Sequence, residues 1–181
     1  DHLVKLSKQA KKKGGYVHLL IGNHEAMNVT GDLRYVAPGE YKAFETKNSA
    51  RLQEMQWERQ LEWMRVNTPD FEALDLEAFR QEWNQQVPLG WVEHRQAWSF
   101  NGEYGKWVEG NQVAVQINDT IFLHGGISAE YCKLSLRSLT EEVIAAMQNY
   151  DPAVTSIVND PLGPLWYRGL ALEEETDLFS Q

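Results

Sequence analysis

Asn23 and His24 stand side by side directly after the apolar run Tyr16-Val17-His18-Leu19-Leu20-Ile21, and Glu25 completes the string Gly22-Asn23-His24-Glu25. An amide oxygen is a hard, neutral donor suited to Mn, Mg, Fe or Zn in mixed nitrogen–oxygen sites. An imidazole can ligate a metal or exchange a proton near neutral pH. One hundred residues after His24, a second apolar run, Ile121-Phe122-Leu123, passes straight into His124-Gly125-Gly126. The paired glycines allow the backbone to come close to an ion or a phosphate. In α/β proteins, ligands bind outside the carboxyl ends of strands. Two strand ends that deliver Asn23, His24 and His124 to one place therefore predict a metal centre, with phosphoryl transfer as the favoured chemistry.

Each of these residues has an ordinary structural reading when taken singly. A buried Asn commonly caps a turn, a His in a core is satisfied by a carbonyl, and His-Gly-Gly suits any sharp turn. The signal comes from their pairing. Adjacent residues on an extended loop point in different directions, so Asn23 and His24 are not expected to bind the same ion. If Asn23 faces a metal, His24 is free to approach a leaving oxygen; ligand and general acid both remain open for it. Arg168, in Pro164-Leu165-Trp166-Tyr167-Arg168-Gly169, could present its guanidinium fork to phosphate or stack on a neighbouring ring for packing. His18 is expected inside the first strand as a packed core residue, and His2 and His94 as surface or packing residues of helices.

The elements that must position these side chains read as follows. Residues 1–13 form an amphipathic helix with Leu3, Leu6 and Ala10 on one face, stopped by Gly14-Gly15. Tyr16 to Ile21 is nearly all apolar, which predicts a strand buried on both faces. Residues 27–38 are loop-like, with Gly31, Asp32 and Pro38 as breakers. Glu40 to Val66 is helical in composition, and Thr68-Pro69-Asp70 interrupts it. Leu76 to Gln86 reads as a further helix and Trp91 to Trp98 as another. Gln112 to Asn118 and Thr120 to Leu123 read as a β-hairpin turning at Asn118-Asp119. Ser138-Leu139-Thr140-Glu141 has the form of a capping box for a helix running to Tyr150. The fold class is α/β, with a helical insertion over residues 40–110 placed between strands of one sheet.

Bulk properties narrow the function classes. A chain of 181 residues is long enough for one sizeable core. The formal net charge of −9 argues against nucleic-acid backbone binding and against a generic anionic membrane surface. An anionic substrate would have to be held by metal ions and local arginines. Cys132 is the only cysteine, which rules out an intrachain disulfide and a thiolate cage. No run approaches transmembrane length. Most of the seven tryptophans lie between Trp57 and Trp107, which reads as bulky helical packing ahead of a carbohydrate or nucleotide platform.

Gly22-Asn23-His24-Glu25 followed by Leu123-His124-Gly125-Gly126-Ile127-Ser128 resembles the calcineurin-like metallophosphoesterases, and among them the phosphoprotein phosphatases. The longer strings Gly22 to Val36, Asn118 to Ser128 and Pro164 to Gly169 look like the bacterial Shewanella-like phosphatases. The resemblance covers most of the chain and is least specific over the helical middle. It implies an α/β sandwich holding two divalent ions, Mn first and Fe, Zn or Mg as alternatives, with attack on phosphorus by a metal-bridging hydroxide. It carries Asn23 and His124 over as ligands of the second metal, His24 as the acid protonating the leaving alkoxide, Arg168 as a phosphate clamp and Glu25 as a loop support behind the ligands. The implied substrate is a phosphorylated protein or peptide.

The family's motifs G-D-x-H and G-D-x-x-D-R-G do not occur here, nor does its final G-H after Arg168. Gly31-Asp32-Leu33-Arg34 follows the Asn-His motif, whereas the family's Asp motifs precede it. The expectation is therefore a single partial domain over residues 1–181, truncated at both ends and inactive alone. The rival readings are a small-molecule phosphoesterase or nucleotide hydrolase, and a non-catalytic interaction module working through the Trp-rich helices. A metalloprotease is disfavoured because no H-E-x-x-H occurs.

Overall fold

The computed structural model describes residues 2–172. Helix α1 (His2–Lys12) ends in Lys11 and Lys12, whose charges oppose the negative helix end, and Gly14 turns the chain out at φ 77°. Its apolar face is not covered: Leu3 is 53% exposed and α1 buries no residue.

The run from Tyr16 to Ile21 corrects the first expectation. It is not a strand buried on both faces. Only Leu20 forms a bridge, parallel to Gln112, with the Ile21 N–H donating to the Gln112 carbonyl at 2.8 Å. Ile21 is buried, but Tyr16 and His18 are exposed, and the His18 ring leans on Tyr16 instead of packing in a core. A strand needs a ladder of successive bonds to a neighbour, and among the described residues this run has one bridge.

The second correction is that residues 27–38 are not all loop. Helix α2 (Asn23–Thr30) begins at the motif itself and continues through Met27. Gly22 is its extended N-cap, and the Glu25 carboxylate accepts from the Gly22 N–H at 3.0 Å. The helix stops where Gly31 adopts a left-handed φ of 95°, and the N–H groups of Gly31 and Asp32 both donate to the Met27 carbonyl. Ala26, Met27 and Val29 are its buried residues.

The helical middle consists of α3 (Pro38–Ala43), α4 (Ser49–Asn67), a 3-10 turn (Phe71–Ala73), α5 (Leu76–Gln86), α6 (Trp91–Trp98) and α7 (Glu103–Glu109). The expected long helix over residues 40–66 is thus broken at 44–48, where Ser49 and Thr46 both donate to the Glu93 carboxylate. α5 and α6 fall on the expected residues, while α7 was not anticipated: its seven residues are too short to show a helical period. Trp57, Trp83 and Val87 form a core of their own, flanked by Leu61, Phe79 and Trp91. The Arg80 guanidinium lies 4.6 Å from the Trp57 ring centre and 5.2 Å from that of Trp83 while pairing with Glu54. Trp57 and Trp83 are therefore packing residues; Trp63, at 60% exposed, is the one that faces outward from α4.

Strands β1 (Ala114–Ile117) and β2 (Thr120–Leu123) pair antiparallel as the expected hairpin, Ala114 opposite Leu123 and Ile117 opposite Thr120. Asn118 takes the left-handed φ of 54° that the tight turn needs. Burial does not alternate along the first arm of the hairpin: Val113 and Ala114 are both buried while Ile117 is exposed. Helix α8 (Leu136–Gln148) is capped by Ser135, whose hydroxyl accepts from the Ser138 N–H, so the capping box expected at Ser138 is displaced by one turn. Its Leu139, Val143 and Met147, four residues apart, bury one stripe. That stripe joins Ile21, Val29, Val108 and Leu165 in the main core. The last described element is α9 (Gly169–Leu172), and the acidic run Glu173-Glu174-Glu175 that the sequence shows next lies outside the described residues. The molecule is thus helices around a small sheet, of the α/β class.

Candidate active site

The core brings the two motifs together at Gly22. A Cβ placed on Gly22 would lie 2.9 Å from His124 Nδ1 and 2.7 Å from a Glu25 carboxylate oxygen. The His124 ring therefore rests against the backbone of residue 22, immediately before Asn23, where any side chain would have to displace it or Glu25. Asn23, His24 and Glu25 occupy the first turn of α2, not an extended loop. Successive helical residues diverge by about 100° around the axis, so Asn23 and His24 still face different ways, for a reason other than the expected one. The free N–H groups of that turn add positive partial charge to this corner.

The second motif is lashed to the third. The Gly125 N–H donates to the Pro164 carbonyl at 3.0 Å, and a Cβ on Gly125 would meet that carbonyl at 2.3 Å and Arg168 Nη1 at 2.9 Å. Arg168 Nη1 donates to the carbonyls of Tyr167 at 3.0 Å and Leu165 at 3.4 Å, and Nη2 sits 3.4 Å from His124 Nε2. Among the described residues, the cations over aromatic rings are Arg34, Arg65 and Arg80, so Arg168 is held by carbonyls instead of by a ring. Its guanidinium faces the histidine and solvent.

The electrostatics of His124 involve the same neighbours. The His124 pKa is pushed below the ordinary imidazole value, first by lost hydration against its neighbours, then by the Arg168 cation and by His24, with the Glu25 carboxylate pulling the other way. Glu25 does two things at once: it caps α2 through Gly22 and places a negative charge near His124. His18, His2 and His94 take no part. His94 is fully buried between Tyr41 and Phe44, and neither ring nitrogen has a hydrogen-bond partner among the described residues.

The donor set bears on a metal. Asn23 and His124 offer one neutral oxygen and one neutral nitrogen, and no group of three or more His, Cys, Asp or Glu side chains suited to a metal occurs among the described residues. These donors suit part of a mixed site; they do not make a dinuclear one.

Two residues that the sequence did not single out belong to this corner. The Tyr35 ring stacks on His24 with centres 5.1 Å apart and planes 12° from parallel. Arg95, on α6, donates to the Asn28 carbonyl at 2.6 Å near the end of α2. Tyr35 lies five residues beyond α2 and Arg95 in another helix, so neither carries a spacing signal. A cavity of about 210 Å³ opens beside His24, with Asn28, Tyr35, Glu40 and Trp98 among its walls.

No family model matches the chain. Shewanella-like protein phosphatase 2 of Arabidopsis thaliana is 26% identical over 151 residues, covering 78% of this chain and 36% of that protein. Shewanella-like protein phosphatase 1 of Plasmodium berghei is 25% identical over 172 residues, 92% of this chain and 36% of its own length. Among solved structures, the cold-active protein-tyrosine phosphatase of a psychrophilic Shewanella species matches with a TM-score of 0.60 and 26% identity, over 98% of this chain and 44% of that one. The chain is thus similar to proteins named Shewanella-like phosphatases and to a Shewanella protein-tyrosine phosphatase. It spans about two-fifths of the length of these proteins. The shared fold runs across nearly the whole chain, including the helical middle where motif resemblance was least specific.

Proposed function

We propose that the protein containing this chain is a metal-dependent phosphomonoesterase of the calcineurin-like type acting on phosphorylated proteins or peptides. The observation that carries the reading is the convergence of His24, His124 and Arg168 on the Gly22–Gly125 corner, in a chain whose relatives are named protein phosphatases and protein-tyrosine phosphatase. In this reading water adds to phosphorus, and the ester P–O bond breaks with its electron pair going to the leaving oxygen. His24 gives its proton to that oxygen and regains one from solvent, so the products are an alcohol and inorganic phosphate. Arg168 offers its free guanidinium edge to the phosphoryl oxygens as charge builds on them. Asn23 and His124 would hold one divalent ion, and Glu25 keeps the Asn23 turn in place through the Gly22 N–H. Bound divalent ions, Mn first, would supply Lewis acidity toward the phosphoryl group.

The test is the full-length protein assayed on phosphotyrosyl and phosphoseryl peptides and on a dinucleotide polyphosphate, with and without added Mn²⁺. Release of phosphate from peptides, lost on chelation and restored by Mn²⁺, is the expected result. Preference for the nucleotide, or activity indifferent to chelator, would overturn it.

A further inference from the structure

His24 is exposed, and the side-chain hydrogen bond described at this residue runs from the Asn28 amide to its backbone carbonyl, not to its imidazole. What touches it is the face of Tyr35, at a separation and angle typical of stacked rings. Tyr35 is in turn braced. The Arg34 guanidinium lies 5.7 Å from the Tyr35 ring centre, and Arg34 is tied to the Asp32 carboxylate by contacts of 2.9, 3.0 and 2.6 Å. Asp32 is anchored to α2 by its own N–H, which donates to Met27.

The local chain geometry explains how residue 35 returns to residue 24. An eight-residue helix is about 12 Å long. Gly31 reverses the chain, and four residues that follow can span about 13 Å. The tyrosine therefore reaches back along α2 to its first turn. The short segment Gly31–Tyr35 works as a strut from the end of the helix to the residue at its beginning.

We propose that Tyr35 is a positioning residue for the general acid: its ring holds the His24 imidazole in the orientation that meets the leaving oxygen. The proposal rests on the reading of His24 given above. Without the ring, an exposed histidine distributes over about six χ1/χ2 orientations, of which one serves. Tyr35 is itself 58% exposed, so removing it leaves no core cavity and the fold is retained.

The experiment compares Tyr35→Ala and Tyr35→Phe with wild type in the full-length protein, on phenyl phosphate and on p-nitrophenyl phosphate. Phenolate is a poor leaving group that needs a proton, and p-nitrophenolate is a good one that does not. Tyr35→Ala is expected to lower kcat on phenyl phosphate about five- to tenfold, with KM unchanged and p-nitrophenyl phosphate turnover within about twofold of wild type. Tyr35→Phe, which keeps the stacking face, should restore phenyl phosphate turnover. In His24→Ala, adding Tyr35→Ala should cost nothing more. A Tyr35→Ala that slows both substrates alike, or whose loss adds in full to that of His24→Ala, overturns the proposal while leaving the acid in place. A His24→Ala that shows no leaving-group dependence instead overturns the acid assignment itself, and the positioning role with it. Thermal midpoints of all variants within a few degrees of wild type exclude misfolding as the cause.

Discussion

At the scale of single residues, the site is built by what is missing as much as by what is present. Gly22 and Gly125 leave the room that His124 and Arg168 fill. Gly125→Ala would drive a methyl into the Pro164 carbonyl and the Arg168 guanidinium, an overpacking cost of about 1–3 kcal/mol. The expected outcome is a lower urea midpoint together with loss of turnover in the full-length protein; an unchanged midpoint would show that the loop has room to shift. Arg168→Lys keeps the charge and removes the fork. Its KM for a phosphopeptide should rise several-fold.

His94 belongs to the same scale and has a consequence for stability. Burial first, and the nearby Arg95 second, lower its pKa below 6.5. The unfolded chain therefore takes up a proton that the folded one refuses as pH falls. The contribution is fully present above the unfolded value of about 6.5 and is lost as pH drops from there through the folded pKa. Thermal midpoints measured from pH 8 to pH 5 should decline on the acid side, and His94→Phe should flatten that decline. An equal decline in the variant would assign the acid sensitivity elsewhere.

At the scale of elements, α2 is the part on which the site depends. Its first turn carries Asn23, His24 and Glu25, and its last is clamped by Arg95 from the helical middle. That guanidinium sits at the negative end of the helix and satisfies a carbonyl the helix leaves open. Arg95→Ala removes a charged hydrogen bond worth about 1.5–3 kcal/mol. A loss of that order in a denaturant titration is expected, and a loss below about 0.5 kcal/mol would mean that water replaces it fully. Element existence was readable where periodicity or punctuation is strong: α5, α6 and the hairpin lie where their patterns place them. The start of α2 was not readable, because Gly22-Asn23-His24-Glu25 has no apolar period and its cap is a side chain reaching back to a glycine N–H. Residues 16–21 misled for the opposite reason. Their apolar character says only that they prefer burial, while a strand also requires neighbours to bond with.

At the scale of the whole molecule, the described residues hold two cores: the main one under the site and a tryptophan cluster in the helical middle. In the proposed reading they supply two neutral metal donors, Asn23 and His124, and no group of three or more His, Cys, Asp or Glu side chains suited to a metal occurs among them. The 181-residue chain by itself is therefore expected to bind divalent ions weakly and to leave p-nitrophenyl phosphate intact. Equilibrium dialysis with Mn²⁺ and a colorimetric assay check this; stoichiometric uptake of two ions or metal-dependent turnover would refute it.

From the residue string alone came the α/β class, the residue types proposed to ligate, donate a proton or hold phosphate, the absence of a second cysteine for a thiolate cage, and a net charge that argues against nucleic-acid backbone binding. Those are properties of residue type and order, so they survive without coordinates. Which of the five histidines meet, that Arg168 stands at His124 instead of on its flanking rings, and that Tyr35 covers His24 were decided only by the tertiary structure. Such contacts join positions eleven to a hundred and more residues apart, across helix ends and glycine gaps whose geometry is set by packing, and packing leaves no period in the sequence.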